Sequence, residues 1–119
     1  MEPNRIQQFI DTRLALNEKV MDTNHLGLKR FINLDTSAYT DGALSAKEKE
    51  LLGLTASLVL RCNDCVDYHI IQCIDAGFND DEIVEALNIG LVVGGSIVIP
   101  HLRHAIESMV LYHQYKEQH

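Results

Sequence analysis

Four residues in the middle of the chain have the types and spacing for thiol redox chemistry. Cys62 and Cys65 stand three apart, His69 follows Cys65 by four, and Glu50 precedes Cys62 by twelve. On a helix turning ~100° per residue, Cys65 falls roughly 60° from Cys62 and His69 roughly 20°, so two thiols and an imidazole share one face. A cysteine at a helix N-terminus feels the positive end of the macrodipole, which favours its thiolate. A second cysteine one turn on can close a disulfide with it, and a histidine one turn further can take or return a proton. Glu50 lies beside Leu54 and Ser57 at the flank of an apolar face. Partial desolvation there raises a carboxyl pKa toward neutrality, where it can carry protons.

Other readings of these residues stay open at this level. Cys62, Cys65 and His69 could ligate zinc with Glu50, Cys73 or water as the fourth donor, although one helix wraps a tetrahedral ion poorly. The two cysteines could equally be a reduced pair of small core residues. Glu50 could be a solvated helix charge beside Lys47 and Lys49. Cys73 shares the dithiol face and reads as a core cysteine. His101 and His104, followed by Glu107, could face one ligand or lie at a surface or interface. His25, His113 and His119 form no pattern, and Asp80-Asp81-Glu82 reads as charge at a helix start.

The elements that must position these groups are helical. Residues 4–22 carry an amphipathic stripe, and a shorter run follows through Leu26, Leu28, Phe31, Ile32 and Leu34. Asp35-Thr36-Ser37 and Asp41-Gly42 read as turn chemistry. Ser45-Ala46-Lys47-Glu48 predicts a capping box and a helix to about Leu60, with the next helix from Cys62 to Ala76, stopped by Gly77. Asn79-Asp80-Asp81-Glu82 caps another helix through Val93, and Pro100 falls in the first turn of a last one. Ala86 to Ile99 is apolar except for Asn88 and Ser96, too short and glycine-broken for a membrane span. Ala86, Gly90 and Gly94 form a smooth stripe for close helix approach. A run this apolar needs cover on most sides, which predicts a subunit interface. Its β-branched end also admits a strand.

The length of 119 residues bounds this to one domain, with N-terminal helices over 1–40 and a core over 42–107. An apolar content of 46 % argues against disorder, and three cysteines against a secreted disulfide framework. A formal net charge of −7 lacks the footprint for nucleic acid or an anionic membrane surface. No leader pattern is visible, so the expected location is cytoplasmic. Absence of Trp and few other aromatics leave an aliphatic core, which suits an all-α fold of about six helices.

Glu50, eleven intervening residues, then Cys62-x-x-Cys65-x-x-x-His69 resembles the signature of the alkylhydroperoxidase D-like (AhpD-like) group of the carboxymuconolactone decarboxylase superfamily. The resemblance runs from about Gly42 to Glu107 and includes Ala76-Gly77 and Gly94-Gly95. It implies an all-α fold assembling as trimers or hexamers, with no cofactor. It implies a thiol peroxidase or disulfide reductase acting on a hydroperoxide or partner disulfide, recharged by a lipoyl-type or thioredoxin-like dithiol. Carried over, Cys62 and Cys65 are the redox pair and His69 and Glu50 the proton relay; the position beside His69 favours Cys65 as the thiol that attacks peroxide, leaving Cys62 to resolve and to meet the reductant. Asp64 stands where the better-known peroxidases carry a histidine, which tends to raise the adjacent thiol pKa. The chain also resembles a short, single-motif form. Relatives that decarboxylate lactones typically lack the paired cysteines.

Overall fold

The computed structural model describes residues 4–119. Among them the chain forms α1 (Arg5–Asp22), α2 (Leu26–Ala38), α3 (Ala46–Val59), α4 (Asn63–Asp75), α5 (Asp80–Gly94), a 3₁₀ turn (Ser96–Val98) and α6 (Ile99–Gln118), with no strand among the described residues. The boundaries follow local chemistry. Asn4 caps α1, and both predicted capping boxes form, Ser45 with Glu48 on α3 and Asn79 with Glu82 on α5. Gly77, at φ +100°, ends α4: the Phe78 N–H donates to the Cys73 carbonyl and the Gly77 N–H to that of Ile74. Gly95, at φ +83°, ends α5 where a strand was admissible, and Pro100 sits in the first turn of α6.

Two boundaries differ from the sequence reading. Asp35-Thr36-Ser37 lies inside α2, because the Ser37 hydroxyl bonds back to the Leu34 carbonyl and the turn falls after Tyr39. Cys62 is the extended N-cap of α4 and not its first helical residue.

The core is aliphatic. Leu54 and Leu58 of α3, Val66, Ile70 and Cys73 of α4, Ile83 and Leu87 of α5, and Ala105 and Met109 of α6 are buried together, joined from α1 by Ile6. The small-residue stripe of α5 meets α3 of the same chain. A Cβ on Gly90 would lie 3.0 Å from a Leu58 methyl and 3.3 Å from the Thr55 carbonyl oxygen. The flank of α5 that carries Ile89, Val92 and Val93 is exposed, as is Ile97 in the 3₁₀ turn, and α2 buries no residue at all. The accessible surface of 7657 Å² exceeds the ~6,500 Å² expected for a monomer of this mass. The radius of gyration, 15.0 Å, likewise exceeds the ~13.5 Å of a compact domain of this length. No helix among the described residues is long and apolar enough to cross a membrane.

Candidate active site

The turn between α3 and α4 places the dithiol. The Arg61 N–H donates to the Leu58 carbonyl and the Cys62 N–H to that of Ser57, with Arg61 in the left-handed region at φ +60°. This is a helix-ending motif that normally takes glycine, held by arginine at a cost of about 1 kcal/mol. It delivers Cys62 straight from the end of α3 to the N-cap of α4, where Sγ accepts from the Cys65 N–H at 3.3 Å. Cys62 and Cys65 form a disulfide, with Cα atoms 5.3 Å apart. Cys62 is half-buried and Cys65 exposed. Because Cys62 precedes the helix, the helical face holds only Cys65, His69 and Cys73, and it runs inward: His69 is buried one turn below Cys65 and Cys73 deeper still. Cys73 is a fully buried core cysteine, and that burial pushes its thiol up to about 12.

Glu50 is not a solvated charge. It is buried on α3, and its Oε1 lies 3.3 Å from His69 Nδ1 on α4. The two atoms are misaligned for a hydrogen bond, and neither has another partner among the described residues. Desolvation, with help from Asp35, raises the Glu50 carboxyl to about 6. Desolvation lowers the pKa of His69, against the pull of Asp35. The other face of the ring meets Tyr39, whose hydroxyl lies 3.5 Å from Nε2, and Tyr68 packs edge-on at 5.1 Å. Gly53 on α3 makes room: a Cβ there would fall 2.6 Å from His69 Cε1 and 2.8 Å from the Tyr39 hydroxyl oxygen.

A second polar cluster lies beside the first. Asp67 of α4 is buried; it accepts from Arg5 of α1 at 3.1 Å, from His104 of α6 at 2.9 Å, and from the Ser108 hydroxyl. Arg5 also pairs with Glu107 at 3.1 Å. His101 instead bonds Asn63 at 2.8 Å, so His101, His104 and Glu107 do not converge on one ligand. Of the unpatterned histidines, His25 caps α2, His113 pairs with Asp80, and His119 bonds the Tyr115 carbonyl. Sequence reasoning missed Asp67, Arg5 and Tyr39. For Asp67 a signal existed, since it occupies an apolar-face register with Ile70 and Ile74; for Arg5 and Tyr39 there was none.

An open cavity of about 710 Å³ lies between α1, the end of α2 and the first turns of α4. Phe9, Leu16, Tyr39 and Tyr68 give it apolar walls, Cys65 and His69 reach it, and Arg13 lies over the Tyr68 ring at 4.3 Å. A second recess of about 530 Å³ holds Glu50, and Tyr39 and Tyr68 line both. The His69–Glu50 pair therefore connects a sulfur-bearing cavity to a separate opening. Among the described residues, no group of three His, Cys, Asp or Glu side chains is placed to hold a metal ion.

Comparison with known proteins gives the family. The chain is similar to TM1620 from Thermotoga maritima, at 50 % identity over 95 % of this chain and 99 % of that one, with a TM-score of 0.89. A second structure of that protein, at 50 % identity over 93 % and 94 % of the two chains and a TM-score of 0.87, is described as of a carboxymuconolactone decarboxylase family protein with a possible part in an antioxidative response. The Legionella pneumophila family protein lpg0406 is 27 % identical over 87 % of this chain and 90 % of its own, with a TM-score of 0.72. An uncharacterised Cupriavidus necator protein is 29 % identical over 68 residues, and the match spans 57 % of this chain and 60 % of that relative. The model of the carboxymuconolactone decarboxylase family matches residues 27–108, which take in the whole of α3 through α5 and every member of the Glu50–Cys62–Cys65–His69 set. The chain belongs to the carboxymuconolactone decarboxylase family, and its paired cysteines fit the AhpD-like members of it.

Proposed function

We propose that this protein is a thiol-disulfide oxidoreductase that reduces hydroperoxides, or a partner disulfide, through Cys62 and Cys65. One observation carries the reading: a cysteine pair at a helix N-terminus, one member open to an apolar-walled cavity, with a buried carboxyl–imidazole pair one turn below. In the reduced protein, Cys65 loses its proton toward His69, and the thiolate attacks the distal peroxide oxygen. The O–O bond breaks, Cys65 becomes a sulfenic acid, and the alkoxide takes a proton to leave as an alcohol. Cys62 then attacks the sulfenic sulfur, the S–O bond breaks with release of water, and the disulfide closes. Two electrons pass from the dithiol to the peroxide.

Reduction by an external dithiol restores the pair. The half-buried Cys62 and exposed Cys65 favour attack on Cys65, and not on Cys62 as the position beside His69 suggested. Cys62 then departs as a thiolate, stabilised by the Cys65 N–H and the helix N-terminus. Glu50 and His69 move the protons. The decisive experiment mixes reduced protein with an alkyl hydroperoxide and counts free thiols. Loss of two thiols with a Cys62–Cys65 disulfide is expected, and Cys65→Ser abolishes turnover. Activity on an unsaturated lactone or quinone-like metabolite that survives loss of both cysteines would instead favour the decarboxylase-like reading.

A further inference from the structure

We propose that Tyr39 is a positioning residue for His69: its phenol donates to Nε2, which leaves the ring proton of the neutral imidazole on Nδ1, facing Glu50. Four observations converge. The Tyr39 hydroxyl lies 3.5 Å from Nε2. The two rings pack at 5.5 Å between centroids, tilted by 36°. Gly53 lies against both the hydroxyl and the imidazole, so a larger residue there would push into the pair. Tyr39 also lines both openings, as part of the wall between the sulfur-bearing cavity and the recess that holds Glu50.

The chemical consequence is a defined tautomer. A carboxylate accepts but cannot donate, so Glu50 at Nδ1 favours a proton on that nitrogen. Nε2 then carries the lone pair, and a phenol is a suitable donor to it. Burial and the neighbouring Glu50 charge raise the pKa of Tyr39 above its ordinary value, so it remains a donor. In the disulfide form this satisfies the lone pair without a thiol; in the dithiol form the same lone pair is the base.

Tyr39 comes from the least anchored part of the fold. It caps α2, which buries no residue, whereas Glu50 and His69 stand on the closely packed α3 and α4. The hydroxyl's hold on His69 therefore depends on where the end of α2 lies.

The test reads the ring directly. Nitrogen-15 shifts of the His69 ring, followed with pH in the wild type, Tyr39→Phe and Tyr39→Ala, report tautomer and pKa. Asp35, Arg13, Glu50 and Tyr68 act on the same ring and are unchanged in all three. The wild type is expected as the Nδ1–H tautomer, with Nε2–H growing in Tyr39→Phe, which keeps the ring packing but loses the hydroxyl. A wild-type Nε2–H tautomer, or identical shifts in Tyr39→Phe, overturns the assignment. The kinetic arm rests on the redox function proposed above: Tyr39→Phe is expected to lower kcat for hydroperoxide about five-fold, with KM little changed and the pH profile displaced. If the wild type reduces no hydroperoxide while the nitrogen shifts move as stated, the redox reading falls and the role of Tyr39 stands.

Discussion

Glu50 Oε1 and His69 Nδ1 lie 3.3 Å apart on adjacent helices, both buried, and each is pushed toward its neutral form. Burial raises the carboxyl to about 6 and lowers the imidazole from its ordinary 6.5, so each group disfavours its own charged form. A couple of this kind can accept a thiol proton near neutrality without holding a full buried charge. It is costly to maintain, and that cost has a measurable sign.

For Glu50 the folded pKa lies above its ordinary 4.5, so its contribution to stability is full below pH 4.5 and is lost as pH rises through about 6. For His69 the folded value lies below 6.5, so its contribution is present above that pH and is lost as pH falls through the lowered value. Glu50→Gln removes the first penalty. The variant is expected to be more stable than the wild type at pH 8, by about 2 kcal/mol, with the advantage gone below pH 4.5. Urea unfolding at both pH values checks this. A less stable variant at pH 8 would mean that attraction to His69 outweighs the burial cost. Hydroperoxide turnover in the wild type is expected to fall as pH drops through 6, and the variant to lose that limb.

Gly53→Ala separates stability from positioning. Replacing a mid-helix glycine ordinarily stabilises by about 1 kcal/mol. Here the added Cβ would lie 2.6 Å from His69 Cε1 and 2.8 Å from the Tyr39 hydroxyl oxygen, so ring or hydroxyl must move. We expect a melting temperature at or below that of the wild type and turnover reduced at least about ten-fold. Unchanged turnover would show that His69 tolerates displacement.

Much of this arrangement was legible in the chain. Both capping boxes, the glycine stop at Gly77 and the apolar stripes are local signals, and they placed α3, α4 and α5 closely. The dithiol, His69 and Glu50 were found because chemistry repeats a spacing within one stretch of chain. Arg5 and Tyr39 were invisible because they come to the site from α1 and the end of α2, across more than 25 residues, and their partners are set by tertiary packing. The helical wheel failed at Cys62 for a local reason: the left-handed Arg61 makes Cys62 an extended cap, so its angle on the wheel has no meaning.

The Asp67 cluster fastens α1 to α4 and α6. Asp67 holds Arg5, His104 and Ser108 together, while Ile6 is the one fully buried residue of α1. Asp67→Ala leaves these donors facing a void. With Arg5 partly exposed, the cost should be about 2 kcal/mol, below the ~3–5 of a fully buried pair. Because α1 walls the cavity, the variant's disulfide should also be reduced faster by a bulky protein dithiol, with little change for a small one. Equal rates for both reductants in wild type and variant would remove α1 as a barrier.

The exposed apolar faces lead to the last prediction. Val92 is 73 % and Val93 69 % exposed on α5, with Ile89 on the same helix and Ile97 in the 3₁₀ turn after it also exposed, and Phe31 is 68 % exposed on α2. A lone chain that leaves such residues in water gains about 25 cal/mol for each square ångström of them it covers. Its surface excess over a compact monomer is on the order of 1,000 Å², close to the ~800 Å² per partner of a standard interface. The fold is complete without that cover, since Leu58 and Thr55 already occupy the small-residue side of α5. Assembly is therefore expected to use the exposed Ile89, Val92 and Val93 flank of α5. Light scattering should show a multiple of the 13.4 kDa chain, and Val92→Asp combined with Val93→Asp should lower the mass while the helical circular dichroism persists. A wild type that scatters as a monomer would sink the prediction. A variant that keeps the wild-type mass would move the interface to α2, where the Phe31 and Leu34 pair of aspartate substitutions tests it in the same way.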